Sequence, residues 1–406
     1  MSSETSTRLH ALDAVRAIAL LLGVVLHASM SFIPGPPVWI VQDNAAATEF
    51  SLLFYVPHMF RMVLFFLIAG YFARFVLERR SLARFALDRG QRILLPLVTL
   101  WLPLFIAIAS VFLWGVSKAN GGELPDQEAP PLTVGTFPLT HLWFLYLLTG
   151  FYLVSLPLTA LMRTLDRKDR TGKLIDVTTR LLAATPLGAV ALALPAFAWF
   201  ATAPFWMQWF GIPTPDTGLV PNNGALIAYG TAFAAGWAVR RNSDLVLSAW
   251  KRSWHINLAA AIALTIVCLS ITSIEPLLMP AQPGTDRLIY SAAYALGIWT
   301  WTFGLTGLAL HVFSQASRTW RYLADASYWV YLMHLPLVMA LQIALSDVAL
   351  PGVLKLTLIV VFSMVLLLAS YQIGVRHTWL GLWLNGRRPR QDERSSGLPV
   401  ADKASA

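Results

Sequence analysis

A chain that repeatedly offers about twenty consecutive apolar residues has few ways to fold. A soluble domain has too little interior to hide such runs, whereas in a bilayer each can close its own backbone hydrogen bonds as a helix. Windows of that length predict about ten spans, near 11–33, 48–76, 92–115, 139–162, 181–203, 223–240, 254–274, 287–313, 325–346 and 352–375. Composition agrees: 57% of the 406 residues are hydrophobic and only 13% are charged, well outside the range of ordinary soluble domains. The expected fold class is all-α, a polytopic membrane helix bundle whose first partner is the lipid bilayer.

Charge between the runs alternates. Arg74, Arg79, Arg80, Arg84 and Arg89 fall between the second and third spans. Arg163, Arg167, Lys168, Arg170, Lys173 and Arg180 fall between the fourth and fifth, Arg240, Arg241, Lys251 and Arg252 follow the sixth, and Arg318 and Arg321 follow the eighth. Segments 34–47 and 204–222 carry no Lys or Arg, and in 116–138 Lys118 stands against Glu123, Asp126 and Glu128. The positive-inside rule then places both termini in the cytoplasm. The net charge of +9 is accounted for by topology, so no nucleic-acid partner is expected. The first run is long for the apolar core of a signal peptide, contains Arg16 and His27, and lacks a cleavage pattern. A single cysteine, Cys268, excludes an internal disulfide and supplies too few thiolates for a zinc or iron–sulfur site. No metal is expected. The tail 379–406 reads as polar, disordered and cytoplasmic, leaving 1–378 as the membrane domain.

The polar residues inside the apolar runs are the chemical signal. In "LDAVRAIALLLGVVLHASMSF", Arg16 and His27 stand eleven residues apart, close to three helical turns, so they share one face about 16 Å apart along the axis. Facing lipid, each charged group would cost at least roughly 2.5–3.5 kcal/mol, so the stripe is expected to face a polar interior. Asp13 can pair with Arg16 at i, i+3. His58 and Arg61 share a face of the second span, and Arg61 is too deep to reach the headgroups easily. "RGQRILLPL" sets Arg89 and Arg92 one turn apart, a spacing that suits phosphate because guanidinium groups bind it bidentately. "HLWFL" places His141 and Trp143 at the start of the fourth span, and Ser327, Tyr331 and His334 form a stripe on the ninth. Each has a plain structural reading when taken singly: Arg16 snorkelling, Trp143 an interfacial anchor, Arg89 and Arg92 ordinary cytoplasmic cations, the stripe on the ninth span packing. Their sum, on several spans and without equally deep acids, is harder to explain that way.

These pieces, "LDAVRAIALLLGVVLH", "MFRMVLFFLIAGYFAR", "RGQRILLPL", "HLWFL" and "ASYWVYLMHLPL", occur in the order in which the acyltransferase 3 family of integral membrane acyltransferases has them. The chain resembles that family over most of its length, and within it the glucan biosynthesis protein C branch, associated with glucan succinylation. Ala69 stands where the family commonly has Ser. The resemblance implies an enzyme of a bacterial inner membrane, without a fused esterase-like domain. It would move an acetyl or succinyl group from cytoplasmic acyl-CoA to a hydroxyl of a glycan or other acceptor at the outer face, with no permanently bound cofactor. His27, Arg61 and His334 are the expected catalytic residues. His27 would act as general base or carry a transient acyl group, and Arg61 would meet the oxyanion or a succinyl carboxylate. Arg16, Arg89, Arg92, His58, His141, Trp143 and Tyr331 are the expected substrate-binding residues. The competing reading is a secondary transporter of an anionic metabolite or lipid-linked glycan. Monomer and homo-oligomer stay equally open.

Overall fold

A computed structural model describes residues 3–124, 131–166, 169–183, 185–313, 315 and 317–385. Among the described residues the regular secondary structure is helical, without β-strands. The helices are α1 (Ser3–Ser29), α2 (Phe50–Leu77), α3 (Leu82–Arg89), α4 (Leu95–Ala119), α5 (Trp143–Leu165), α6 (Arg170–Ala183) and α7 (Leu187–Thr202). They continue with α8 (Asn223–Arg241), α9 (Ser243–Thr272), α10 (Thr285–Val312), α11 (Arg318–Leu345), α12 (Gly352–Ser370) and α13 (Trp379–Asn385). A π-helical turn, Gly90–Leu94, joins α3 to α4 without a break.

Among the described residues, eight helical segments are long and apolar enough to cross a membrane. They coincide with the first four and last four expected spans. The two in between differ. The run expected at 181–203 forms a helix of only 16 residues. The one at 223–240 forms α8, 19 residues whose alanines and glycines suit close packing rather than contact with lipid. The third span starts earlier than expected, at Leu82, because the π turn continues α3 into α4. The basic segment 163–180 holds α6, fastened by Arg241 to Asp176 at 2.7 Å and to Asp169 at 2.9 Å. That contact holds the Asp176 carboxyl below the usual carboxylate range. Within the tail expected at 379–406, Trp379–Asn385 form α13 with Leu384 buried. Residues 386–406 lie outside the described residues, as do Asp126, Glu128, Arg167 and Lys168. Lys118 pairs with Asp347 at 2.9 Å.

Close backbone approach holds the bundle together where small residues permit it. A side chain at Gly70 would collide with the Phe233 carbonyl, and one at Gly236 with that of Leu67, so α2 and α8 cross in direct backbone contact. The largest core cluster lies around α2, α8 and α10. A second links α1, α11 and α12, and a third links α4, α5, α11 and α13. Two buried cations fasten the connections at one end. Lys355 meets Asp43 at 2.8 Å and Asn44 at 2.6 Å, tying segment 34–47 to α12. Arg287 donates to the Phe200 carbonyl through Nε and Nη2, closing the end of α7, where helical carbonyls lack partners.

Candidate active site

Between α1, α2, α5, α11 and the π turn lies a cavity of about 790 Å³. All ten residues singled out from the sequence line it: His27, Arg61 and His334, together with Arg16, Arg89, Arg92, His58, His141, Trp143 and Tyr331. The stripe on α1 is formed by Arg16, Leu20, Gly23 and His27, spaced four, three and four residues as a helical face requires. Arg16 meets Asp13 at 3.5 Å, the expected i, i+3 pair. Gly23 has a specific use. A Cβ there would lie 3.2 Å from Arg61 Cζ and closer still to Nη1, so the guanidinium rests on the bare backbone of α1. Arg61 Nε is buried without a protein partner.

Three imidazoles meet in the middle of the cavity. The His27 and His334 rings are 5.2 Å apart, and those of His334 and His141 are 5.7 Å apart. Tyr331 stands edge-on to His141 at 5.5 Å and donates its hydroxyl to the His141 carbonyl at 2.6 Å. The backbone explains how two of the rings are held. Pro336 has no N–H, so the carbonyl four residues earlier, Leu332, loses its helical donor. His141 Nε2 sits 3.0 Å from that oxygen. His334 Nδ1 sits 2.7 Å from the Tyr331 carbonyl. A carbonyl only accepts, so His141 carries its proton on Nε2 and His334 on Nδ1. His27 is held by no such bond, and its Nδ1 is buried without a partner.

Pro96 acts in a similar way at the arginine end. It supplies no N–H to the carbonyls of the preceding turn, and those at Gln91 and Arg92 accept instead from Trp383 Nε1 at 2.9 Å and the Tyr328 hydroxyl at 2.8 Å. The turn that presents Arg89 and Arg92 is thereby locked to α11 and α13. Asp88 binds both arginines, Arg89 at 2.8 Å and Arg92 at 3.1 Å, and reaches Arg80 at 3.4 Å. An anion entering here meets a paired carboxylate rather than two free guanidinium groups.

Sequence reasoning missed three residues that shape the cavity. Gln342, wholly buried, donates to the carbonyls of His27 at 2.9 Å and Ala28 at 3.1 Å and accepts from Trp39 Nε1 at 2.9 Å. It holds the Trp39 ring 6.2 Å from that of His27. Gln342 lies eight residues beyond His334, two turns along the same stripe, and that spacing was its signal. Asp216 and Trp39 lie in connecting segments and line the same cavity, with no periodicity to reveal them. Among the described residues, no three His, Cys, Asp or Glu side chains converge as metal ligands would.

A multi-span helical fold around an interior cavity lined by arginines and histidines defines a polytopic membrane protein with a polar interior site. Residues 9–372 match the family described as "Acyltransferase domain", and the chain belongs to it: it is a multi-pass membrane acyltransferase of a type that transfers groups other than aminoacyl groups. The carrier reading is thereby set aside. Curated relatives bear the name "Glucans biosynthesis protein C". Those of Salmonella schwarzengrund (strain CVM19633) and Salmonella heidelberg (strain SL476) are each 25% identical over 416 residues, covering 98% of this chain and 100% of theirs. That of Salmonella paratyphi B (strain ATCC BAA-1250 / SPB7) is 25% identical over 412 residues, with the same coverage. No solved structure matches the chain.

Proposed function

We propose that this protein takes an acetyl or succinyl group from acyl-CoA at the cytoplasmic face of a bacterial inner membrane and places it on a glycan hydroxyl at the outer face. One observation carries the reading: a single cavity runs from Arg16, Arg89 and Arg92, past Arg61 and the three histidines, to the connecting segments beyond. The loop charges support a cytoplasmic arginine end and cytoplasmic termini. There the guanidinium groups would bind the donor's phosphates in exchange for Asp88. The pantetheine arm would lie along the cavity and bring the thioester to the histidines.

Of the three rings, His27 is best suited to be the base. His141 and His334 each commit one nitrogen to a backbone carbonyl, while His27 has no such tether. The acceptor hydroxyl would give its proton to His27 as its oxygen bonds to the thioester carbon. Charge then gathers on the carbonyl oxygen, where Arg61 would stabilise it. The carbonyl re-forms as the C–S bond breaks, and the departing thiolate takes the proton from His27, leaving ester and coenzyme A. His334 presents Nε2 as a hydrogen-bond acceptor beside His27. A transient acyl-His27 would use the same geometry. The names of the relatives make a glucan the first acceptor to test.

The test is mass spectrometry of a glucan incubated with the purified protein and acetyl- or succinyl-CoA. Ester-bearing glucan should form with wild-type protein and be absent with His27→Ala. Protein that binds neither acyl-CoA would refute the donor assignment. Protein that binds one yet esterifies no glucan would refute the acceptor assignment.

A further inference from the structure

Beyond the histidines the cavity wall changes character. Its arginine end carries Arg16, Arg89 and Arg92, but the opposite wall is formed by Thr140, Trp143, Phe210, Thr214 and Asp216. Asp216 and Asp325 are the carboxylates that line the cavity among the described residues, and Asp325 lies beside Ala324 and Ser327 on α11. Asp216 is held by backbone rather than by its side chain. The segments 131–140 and 213–219 are zipped together by Thr140 N–H to the Asp216 carbonyl at 3.0 Å, Gly218 N–H to Phe137 at 2.8 Å and Leu219 N–H to Val134 at 2.7 Å. An isolated bridge between Pro138 and Thr217 completes the zip. Thr140 adopts a φ of 52°, a region costly for a β-branched residue, so the zip also sets the entry of the next residue, His141. The position of Asp216 is therefore coupled to the histidine cluster.

Polar groups here await partners. Thr140 Oγ1 and His141 Nδ1 are buried without one, and the His141 side chain belongs to a residue only 7% exposed. The Asp216 carboxyl has a long contact of 3.5 Å with the neighbouring Thr217 hydroxyl. Asp216 is exposed and also lines the cavity, so a ligand entering from the connecting segments reaches its carboxyl directly. A carboxylate and an imine nitrogen accept hydrogen bonds, so the ligand that suits them brings donors. Trp143, with one face stacked on Tyr229, and Phe210 add apolar ring surface to the same cavity. An anionic ligand would be repelled by Asp216 and a cationic one by Arg61, deeper in the same cavity. A neutral molecule rich in hydroxyls, with C–H faces to lay on aromatic rings, fits both demands.

We propose that Asp216 is the acceptor-binding carboxylate, holding the hydroxyls of a neutral sugar unit between Trp143, Phe210 and Thr214 so that one of them points at the histidines. The proposal rests on the acyl-transfer reading for its catalytic meaning but not for its binding test. Full-length protein in lipid nanodiscs is titrated by calorimetry with laminaripentaose, a neutral gluco-oligosaccharide, and separately with coenzyme A. Wild-type protein should bind the oligosaccharide, and Asp216→Asn should bind it at least ~10-fold more weakly, as expected for a lost charge-assisted hydrogen bond. Coenzyme A affinity should not change, and Asp216→Glu should recover part of the loss. The proposal is overturned if wild-type protein binds coenzyme A but no oligosaccharide, or if Asp216→Asn binds the sugar normally. It is also overturned if Asp216→Asn weakens both ligands, since Asp216 would then support the fold. Failure of the acyl-transfer reading looks different. Sugar binding would remain sensitive to Asp216, while no ester formed from acetyl- or succinyl-CoA.

Discussion

Gly23→Ala separates catalysis from folding more cleanly than removal of Arg61 itself. The new Cβ would lie 3.2 Å from Arg61 Cζ and closer to Nη1, whereas relaxed carbon contacts lie at about 3.5–4.0 Å. The colliding atoms are the far end of a flexible side chain, so the guanidinium retreats and the backbones of α1 and α2 stay in place. Within a helix, alanine is favoured over glycine by about 0.8–1.0 kcal/mol, so thermal stability should hold or rise. Catalysis should move the other way. An oxyanion donor displaced by about 1 Å costs roughly 100-fold, so kcat should fall by that order, with donor affinity near normal. The measurement pairs kcat for ester formation with a thermal melt of the same preparation. A stable Gly23→Ala protein with wild-type kcat would show that the position of Arg61 does not matter to the reaction and would remove it from the mechanism.

Four further outcomes follow from the geometry. His27→Ala should cut transfer by ~10²–10⁴-fold with donor binding close to normal, while Arg16→Gln should chiefly raise the donor KM; near wild-type transfer by His27→Ala would make that ring a packing residue. The double change Arg89→Gln and Arg92→Gln should weaken coenzyme A binding by at least ~100-fold, and Asp88→Asn, which removes the competing carboxylate, should tighten it; calorimetry showing no change in either returns the arginines to a topological role. Gln342→Leu leaves the His27 and Ala28 carbonyls without their donor and frees Trp39, at about 1–3 kcal/mol for an unsatisfied buried group, so both melting temperature and kcat should drop; a variant that melts and turns over normally would show the clasp to be dispensable. Cysteines placed at Ala46 and Thr171 should label from opposite sides of the membrane with an impermeant thiol reagent, without background from buried Cys268; labelling from one side would overturn the assignment of the arginine end to the cytoplasm.

The cavity was legible in the sequence for a physical reason. Polar side chains in a bilayer-length apolar run have only the protein interior to face, so helical spacing alone aligned Arg16 with His27 and Tyr331 with His334. All ten residues chosen on that logic line the cavity. The same logic failed where its premise was absent. Asp216 and Trp39 lie in connecting segments, where no period ties a residue to a face. The spans expected at 181–203 and 223–240 rest on apolar content alone, yet the small residues of α8 serve close contact with α2. Asp88 carries no signal in the sequence, since a carboxylate among arginines on a basic segment looks like ordinary charge balance.

The prolines link these two outcomes. In "RGQRILLPL" and "YLMHLPL" the titratable residue and the proline were both visible, but the sequence does not say which group takes the carbonyl that the proline leaves free. In the fold, Leu332 receives His141 and Arg92 receives Tyr328, each from another helix. At Leu332 no helical N–H competes for the oxygen, so a side chain from outside the helix takes it. Pro336 therefore shapes the site through the donor it lacks. By releasing one acceptor at membrane depth, it fixes the tautomer of His141 and turns that ring's unprotonated nitrogen away from the backbone. That nitrogen is the buried Nδ1 without a partner at the wall proposed to receive the sugar, beside His334, which Pro336 follows by two residues. Replacing Pro336 with alanine would return a donor to Leu332, and it should release His141 without removing any side chain that touches substrate.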